Sequence, residues 1–372
     1  MDSKTTIESK WPASRIVHLA GGGRAFNIEG PMVVIHPPGL GGNPIQFSVR
    51  SYGSIYKEIE DLGLKIIGVD FITHVLELKG LFPLHWRSYH RHKGRSWATF
   101  DATQTWSNIG NAAFRRKDGV LWDLASRISY QLRASDLRLH QTSESYYNQL
   151  DKVIKRSDFE VGTVFMDGFT LCLFMSIHAF LIDACILRDC LAEFAAKYIV
   201  LSQGDKGPKI TTMAGLKKYI TKLGDNSGTP LLEKLIKYTD KGGWIHGLGC
   251  YRDLVIHSSP LVLARQKLAV RCDAFQMKGG IEIPAIACPI PEKPAEIMAS
   301  RTAGTHFDDF NKQFEAYIDI RSLTLDGLTY LHDLLGNITI LALEIAQYSP
   351  VKPEIMTFTD KDIKDFKEIK YD

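Results

Sequence analysis

Tyr251-Arg252-Asp253-Leu254-Val255-Ile256-His257-Ser258-Ser259-Pro260 places a fixed cation, a carboxylate and an imidazole in one short apolar run, closed by a proline that a helix cannot continue through. Leu254-Val255-Ile256 is core sequence, and ionisable groups beside it need solvent, partners or a chemical task. The bare Arg-x4-His spacing recurs at Arg87–His92, inside a basic run, and at Arg301–His306, across Ala303-Gly304. Only Arg252–His257 has a polar residue directly after the arginine, an apolar triplet, and helical periodicity on both sides.

In a helical context, the Arg252-Asp253-x-x-x-His257 pattern resembles the signature of the HEPN superfamily. These helical domains include many metal-independent ribonucleases. The resemblance covers roughly residues 158–350, and Asp253 stands where that family most often has asparagine. It implies a catalytic Arg252-Asp253-His257 set and a long apolar helix opposite, where Asp183 or His178 is the supporting polar residue. It implies no cofactor and no metal. A composite cleft built from two signatures requires a homodimer or a second HEPN chain, and members of the family often act as toxins or antiviral effectors. On an ideal α-helix five residues turn about 140° past a full circle, so Arg252 and His257 do not share a face. A single copy is therefore awkward for catalysis. The alternative class is a non-catalytic helical module that binds nucleic acid or protein and keeps Arg252 and His257 as architecture.

Around this segment, the expected fold class is an α+β, strand-rich N-terminal domain (1–157), then an all-α bundle (158–350) with an inserted β-hairpin, then a charged tail (351–372). The length of 372 residues favours two domains, and 45% hydrophobic residues are ample for cores. A net charge of +3 permits nucleic acid without announcing it. No leader or lipidation motif is read at Met1-Asp2-Ser3-Lys4, and six cysteines without a C-x-x-C pair suit a reducing cytoplasm.

Short β-branched runs at 32–35, 45–49, 65–69 and 73–78 read as strands. Gly21-Gly22-Gly23 and Gly39-Leu40-Gly41-Gly42 read as turns, because neither has the strand-before, helix-after setting of a phosphate loop. Residues 85–140 carry ten Lys/Arg against four acids, a local +6, and hold Trp86, Trp97, Trp106 and Trp122. Cations track phosphates while aromatic faces stack on bases, so Arg87, Arg91, Lys93, Arg95, Trp86 and Trp97 are the candidate RNA contacts. His85, His90 and His92 lack a nearby carboxylate or cysteine in sequence and read as no zinc site.

Helical periodicity begins near Val120 and runs to about Arg156, with Ser143 expected to cap a second helix. Phe169–Leu187 is apolar enough to raise a membrane span. Asp183, His178 and the following Arg188-Asp189 favour a buried bundle helix instead. Short helices at 213–223 and 231–238, a hairpin at 268–288, and a closing helix after a Thr324 cap complete the pattern.

Overall fold

The computed structural model describes residues 11, 13–27, 30–73, 85–156, 159–201, 208–223, 229–258, 269–296, 299 and 325–355. The strand expected at 73–78, the Thr324 cap, the Arg301–His306 pair and the charged tail lie outside or almost wholly outside the described residues.

The N-terminal half builds an antiparallel sheet from β1 (Ala13–Leu19), β2 (Arg24–Asn27), β3 (Met32–His36), β4 (Ile45–Ser48), β5 (Ile66–Thr73) and β6 (His85–Ser88). The spatial order is β4-β3-β2-β1-β5-β6. Strand alternation assigns its two faces. Val17, Leu19, Val33, Ile35 and Val69 turn to one side and bury against Ile55 and Ile59 of α1 (Tyr52–Asp61). Helix α1 starts where Ser51 and Ser54 form a reciprocal capping box. His18 and Asp70 occupy the other face, as diagonal neighbours, because Ile16 pairs with Asp70 and His18 with Gly68 across the ladder.

That second face is covered by α3 (Gly119–Lys155), a single helix of 37 residues. The expected break at Ser143 does not occur: Ser143 is buried mid-helix, and its hydroxyl meets His18 instead of an orphan amide. Helix α3 follows α2 (Ala98–Arg115) across a tight turn and packs against both α2 and α4 (Gly168–Ala195). Packing runs continuously across residue 157. Trp106, Ile109, Leu121, Ile128, Leu139 and Tyr146 share one continuous core with Leu173, Phe180 and Leu191 of α4. The cause is the apolar stripe of α3, which needs a partner that the sheet alone does not supply.

Helices α5 (Met213–Leu223), α6 (Pro230–Thr239), α7 (Trp244–Asp253) and α8 (Gly327–Ala346) complete the bundle. Asp326 caps α8 by accepting from Thr329 N at 3.0 Å, and also accepts from Tyr146 Oη at 2.7 Å and Cys288 N at 3.0 Å. One buried carboxylate thus ties α8, α3 and the hairpin together. The hairpin, β8 (Val270–Gln276) and β9 (Glu282–Ala287), forms a small sheet with β7 (Val164–Phe165). It bridges both halves: Val270 and Ile286 join the helical core, while Met277 and Ile283 join the core under the large sheet. The architecture is α+β, an N-terminal antiparallel sheet followed by a helical region and a small second sheet.

Among the described residues, one helical stretch, Gly168–Val200, is long and apolar enough by length and composition to cross a membrane, with 56% of its most apolar window buried inside the protein. Its buried side carries Leu173, Phe174, Ile177, Phe180 and Leu181, whereas Leu171, Met175, Ile182 and Ile186 are exposed.

Candidate functional site

Helix α7 begins after the Gly242-Gly243 break and runs through Arg252 and Asp253. Tyr251 is buried and its hydroxyl donates to Pro291 O, while Cys185 of α4 lies 3.9 Å from Leu248 O. The inner face of α7 is thereby fixed, and the next residues face outward. Arg252 Nε sits 2.9 Å from Asp253 Oδ1, with the two side chains 37% and 40% exposed. The contact is an ion pair by distance only, because the buried Nε makes no hydrogen bond, while the side chain as a whole keeps access to solvent.

Directly after Asp253 the chain widens into a π turn over Leu254–Ser258. A turn closed i→i+5 rotates less per residue than an α-helix. Positions 252 and 257 are therefore angularly closer than regular helix geometry allows, which eases the objection raised by their five-residue spacing. The His257 side chain lies outside the described residues.

The polar residues expected opposite the signature are placed differently. Asp183 faces α3, where its Oδ2 accepts from Arg138 Nε at 2.9 Å. His178 is buried, and burial pushes its imidazole down to about 4. Besides Cys185, the charged α4 side chain beside α7 is Arg188, whose Nη1 lies 3.4 Å from where a Cβ on Gly249 would stand. It is 8% exposed and paired with Asp189 at 3.0 Å. Asp189 lies between α4 and α5, accepting Met213 N at 3.0 Å. The periodicity marked α4 as buried but gave no sign of which polar residue turned toward α7.

The basic N-terminal region separates into two parts. Arg91, Lys93 and Arg95 are exposed, with Arg91 bonded to Glu60 and Arg95 at 3.4 Å from Asp101. Arg87 lies 4.0 Å over the Phe100 ring. The two tryptophans do not offer open faces. Trp86 stacks on His140 at 4.5 Å and donates to Asp136 at 3.2 Å, while Trp97 is edge-on to Tyr56, Phe71 and Tyr89. The exposed aromatics of this stretch are Phe100, Phe114, Trp122 and Tyr130, of which Phe114 and Trp122 lie 6.3 Å apart across the α2–α3 turn, with Arg116 and Lys117 exposed between them. Near Arg91, a cleft of about 620 Å³ is lined by Lys65, Tyr89, His90, His332 and Asp333 among others. The His90 and His332 rings stack there at 4.1 Å.

The most concentrated chemistry lies between the sheet and α3, at residues the sequence scattered over more than a hundred positions. His18 from β1, Asp70 from β5, and His140 and Glu144 from α3 bring one donor atom each to within 4.8 Å of one another. His18 Nε2 is 2.9 Å from Asp70 Oδ2 and 3.6 Å from Glu144 Oε1. His140 Nε2 is 3.2 Å from Asp70 Oδ1 and 3.6 Å from the same Glu144 oxygen. Ser143 Oγ holds His18 Nδ1 at 3.0 Å, and the Arg24 guanidinium bonds Glu144.

Burial works against charge on Asp70, yet the adjacent His140 and His18 hold its carboxyl well below the usual range. Burial likewise opposes charge on Glu144, while His140 and Arg24 draw it down to about 2. Burial lowers His18, and on His140 the carboxylates of Asp70 and Glu144 outweigh burial to give about 9. The only legible sequence signal was the i,i+4 pair His140–Glu144, which shares one helix face. Comparison with known proteins gives no match to a family model, to a curated protein or to a solved structure.

Proposed function

We propose that the chain is a metal-independent endoribonuclease of the HEPN type, with Arg252, Asp253 and His257 as its catalytic set. The observation that carries this reading is the solvent-accessible Arg252–Asp253 pair at the end of an anchored helix, followed at once by a π turn that contains His257. RNA cleavage without a metal needs a base for the ribose 2′-hydroxyl, a cation on the developing phosphorane and a proton for the leaving oxygen. The Arg252 fork suits the phosphate, and an imidazole suits proton transfer near neutral pH. Asp253 neutralises Arg252 from beside its Nε, as an ion pair without a hydrogen bond, and leaves the terminal nitrogens for substrate.

RNA reaches the protein through cations and an open aromatic pair. Phe114 and Trp122 are the stacking surface, with Arg116 and Lys117 beside them on the phosphates, and Arg91, Lys93 and Arg95 form a separate basic group near the opposite end of α2. A second copy supplies the other half of the catalytic cleft. Leu171, Met175, Ile182 and Ile186 on α4, which also packs against α7, offer it an apolar seat. In this reading the protein works in the cytoplasm as a toxin or antiviral effector.

The test is cleavage of a mixed-sequence RNA by the wild type and by His257→Ala, with and without chelator, each confirmed folded by circular dichroism and sized by gel filtration. The expected result is chelator-resistant cutting by the wild type and a 10²- to 10⁴-fold loss in the variant. Equal cutting by both returns Arg252 and His257 to architecture and leaves a nucleic-acid- or protein-binding module.

A further inference from the structure

The His18–Asp70–His140–Glu144 cluster is more than a buried ion network. Asp70 is 3% exposed, yet its Oδ1 has no hydrogen-bond partner, and neither does the buried His140 Nε2. These two atoms face each other at 3.2 Å, close enough for a hydrogen bond but out of line for one. A buried carboxylate oxygen left unpaired costs free energy, and the nearest donor does not repay it. Something placed between these atoms satisfies both.

We propose that His18 Nε2, His140 Nε2, Asp70 and Glu144 form a binding site for one divalent transition-metal ion of the zinc class. Three observations converge on it. First, tetrahedral ligation with bonds of about 2.0–2.2 Å sets donor atoms about 3.3–3.6 Å apart. Four of the His-to-carboxylate separations, counting both Asp70 oxygens, run from 2.9 to 3.6 Å, and one donor atom from each residue lies within 4.8 Å of all the others, so small side-chain shifts close the set around an ion. Second, the donors are two imidazoles and two carboxylates with no sulfur, which suits zinc, manganese or iron(II) over calcium or copper(I). Third, the surroundings hold the ligands in place. Ser143 Oγ bonds the outer nitrogen of His18, and Trp86 stacks on the His140 ring.

Charge is compatible with a divalent ion. Asp70 and Glu144 carry two negative charges, and Arg24 offsets one through its bond to Glu144. His18 and Asp70 are closed off inside the fold, whereas the Glu144 side chain is 35% exposed. Glu144 is thus the rim ligand, on the side from which an ion enters or a further oxygen ligand approaches. The site uses none of the residues assigned to RNA cleavage, so either reading stands or falls without the other.

The experiment is direct metal binding to the full chain, freed of metal by chelator and desalted. Zn²⁺ is titrated by calorimetry, and Co²⁺ is added as a spectroscopic probe. The expected result is saturable binding of one ion per chain and a visible ligand-field band with Co²⁺. Glu144→Gln weakens binding at least about 10-fold, and Ser143→Ala weakens it about 10- to 100-fold through the lost support of His18. His140→Gln abolishes the Co²⁺ band. Glu144 is half-exposed, so Glu144→Gln remains informative if the buried variants do not fold. Absence of saturable Zn²⁺, Mn²⁺ or Co²⁺ binding by the folded wild type overturns the proposal. So does wild-type affinity in folded Glu144→Gln and His140→Gln, because the ion then binds elsewhere.

Discussion

Single residues carry constraints out of proportion to their size. A Cβ on Gly68 would stand 2.2 Å from the Trp86 ring and 2.8 Å from Arg87 O. Glycine is therefore required where the indole lies flat on the sheet to support His140. Gly68→Ala is expected to lower stability by roughly 1–3 kcal/mol through overpacking, read from the urea midpoint at constant slope; an unchanged midpoint contradicts the packing described. Buried histidines set the acid response. Burial holds His178 at about 4, and burial with the charges of His332 and Lys65 holds His90 at about 3, against the nearby Asp333.

Above pH 6.5 these histidines are neutral in both folded and unfolded chains, so their full contribution is present. As pH falls below 6.5 the unfolded chain takes up protons that the folded chain refuses. Stability then drops by about 1.4 kcal/mol per pH unit for each histidine until the folded value is reached. Urea titrations at pH 7, 6 and 5 measure this slope, and His90→Gln removes one histidine's share of it. Identical slopes in wild type and variant would show that His90 titrates normally.

At the scale of elements, periodicity exposed α5, α6, α8 and the β8–β9 hairpin, because each has an apolar face bounded by Gly or Pro, while α4 was legible from an almost continuous apolar run that leaves Leu171, Met175, Ile182 and Ile186 exposed. It did not expose β1 or β2, whose residues look polar until their partners are known: Arg15 lies over the Tyr52 and Phe71 rings, while His18 and Arg24 meet Ser143 and Glu144 of α3. Nor did it show that α3 continues through Ser143, since a serine mid-helix reads as a cap unless its tertiary partner is known. The Arg252–His257 segment stood out from residue types alone. The four-donor cluster was not, because its members are distant in sequence and only the sheet register with the α3 docking unites them.

The α2–α3 turn is the element on which RNA affinity is tested. Phe114→Ala with Trp122→Ala is expected to cost about 1–3 kcal/mol for each stacked base, measured by fluorescence anisotropy with a single-stranded RNA. Arg116→Ala with Lys117→Ala is expected to lower the slope of log affinity against log salt by about 1.4 for two phosphates. Unaltered affinity and slope in both variants would remove this turn from the interface.

On the scale of the whole molecule, the hairpin and the buried Asp326 bind sheet and bundle into one packed body, so the N-terminal half is structurally continuous with the helices that carry Arg252. The proposed composite cleft demands two copies. The wild type is expected to sediment as a dimer, and Met175→Glu with Ile182→Glu, on the exposed face of α4, is expected to sediment as a folded monomer with cleavage lost. A monomeric wild type that still cleaves would mean that one signature suffices. The most direct measurement is the chemistry of the RNA ends left by the wild type and by Arg252→Ala. The account predicts 2′,3′-cyclic phosphates from the wild type, from attack by the 2′-hydroxyl, and intact RNA with the folded Arg252→Ala protein. Ends bearing 5′-phosphates, or cutting that survives without Arg252, would contradict it.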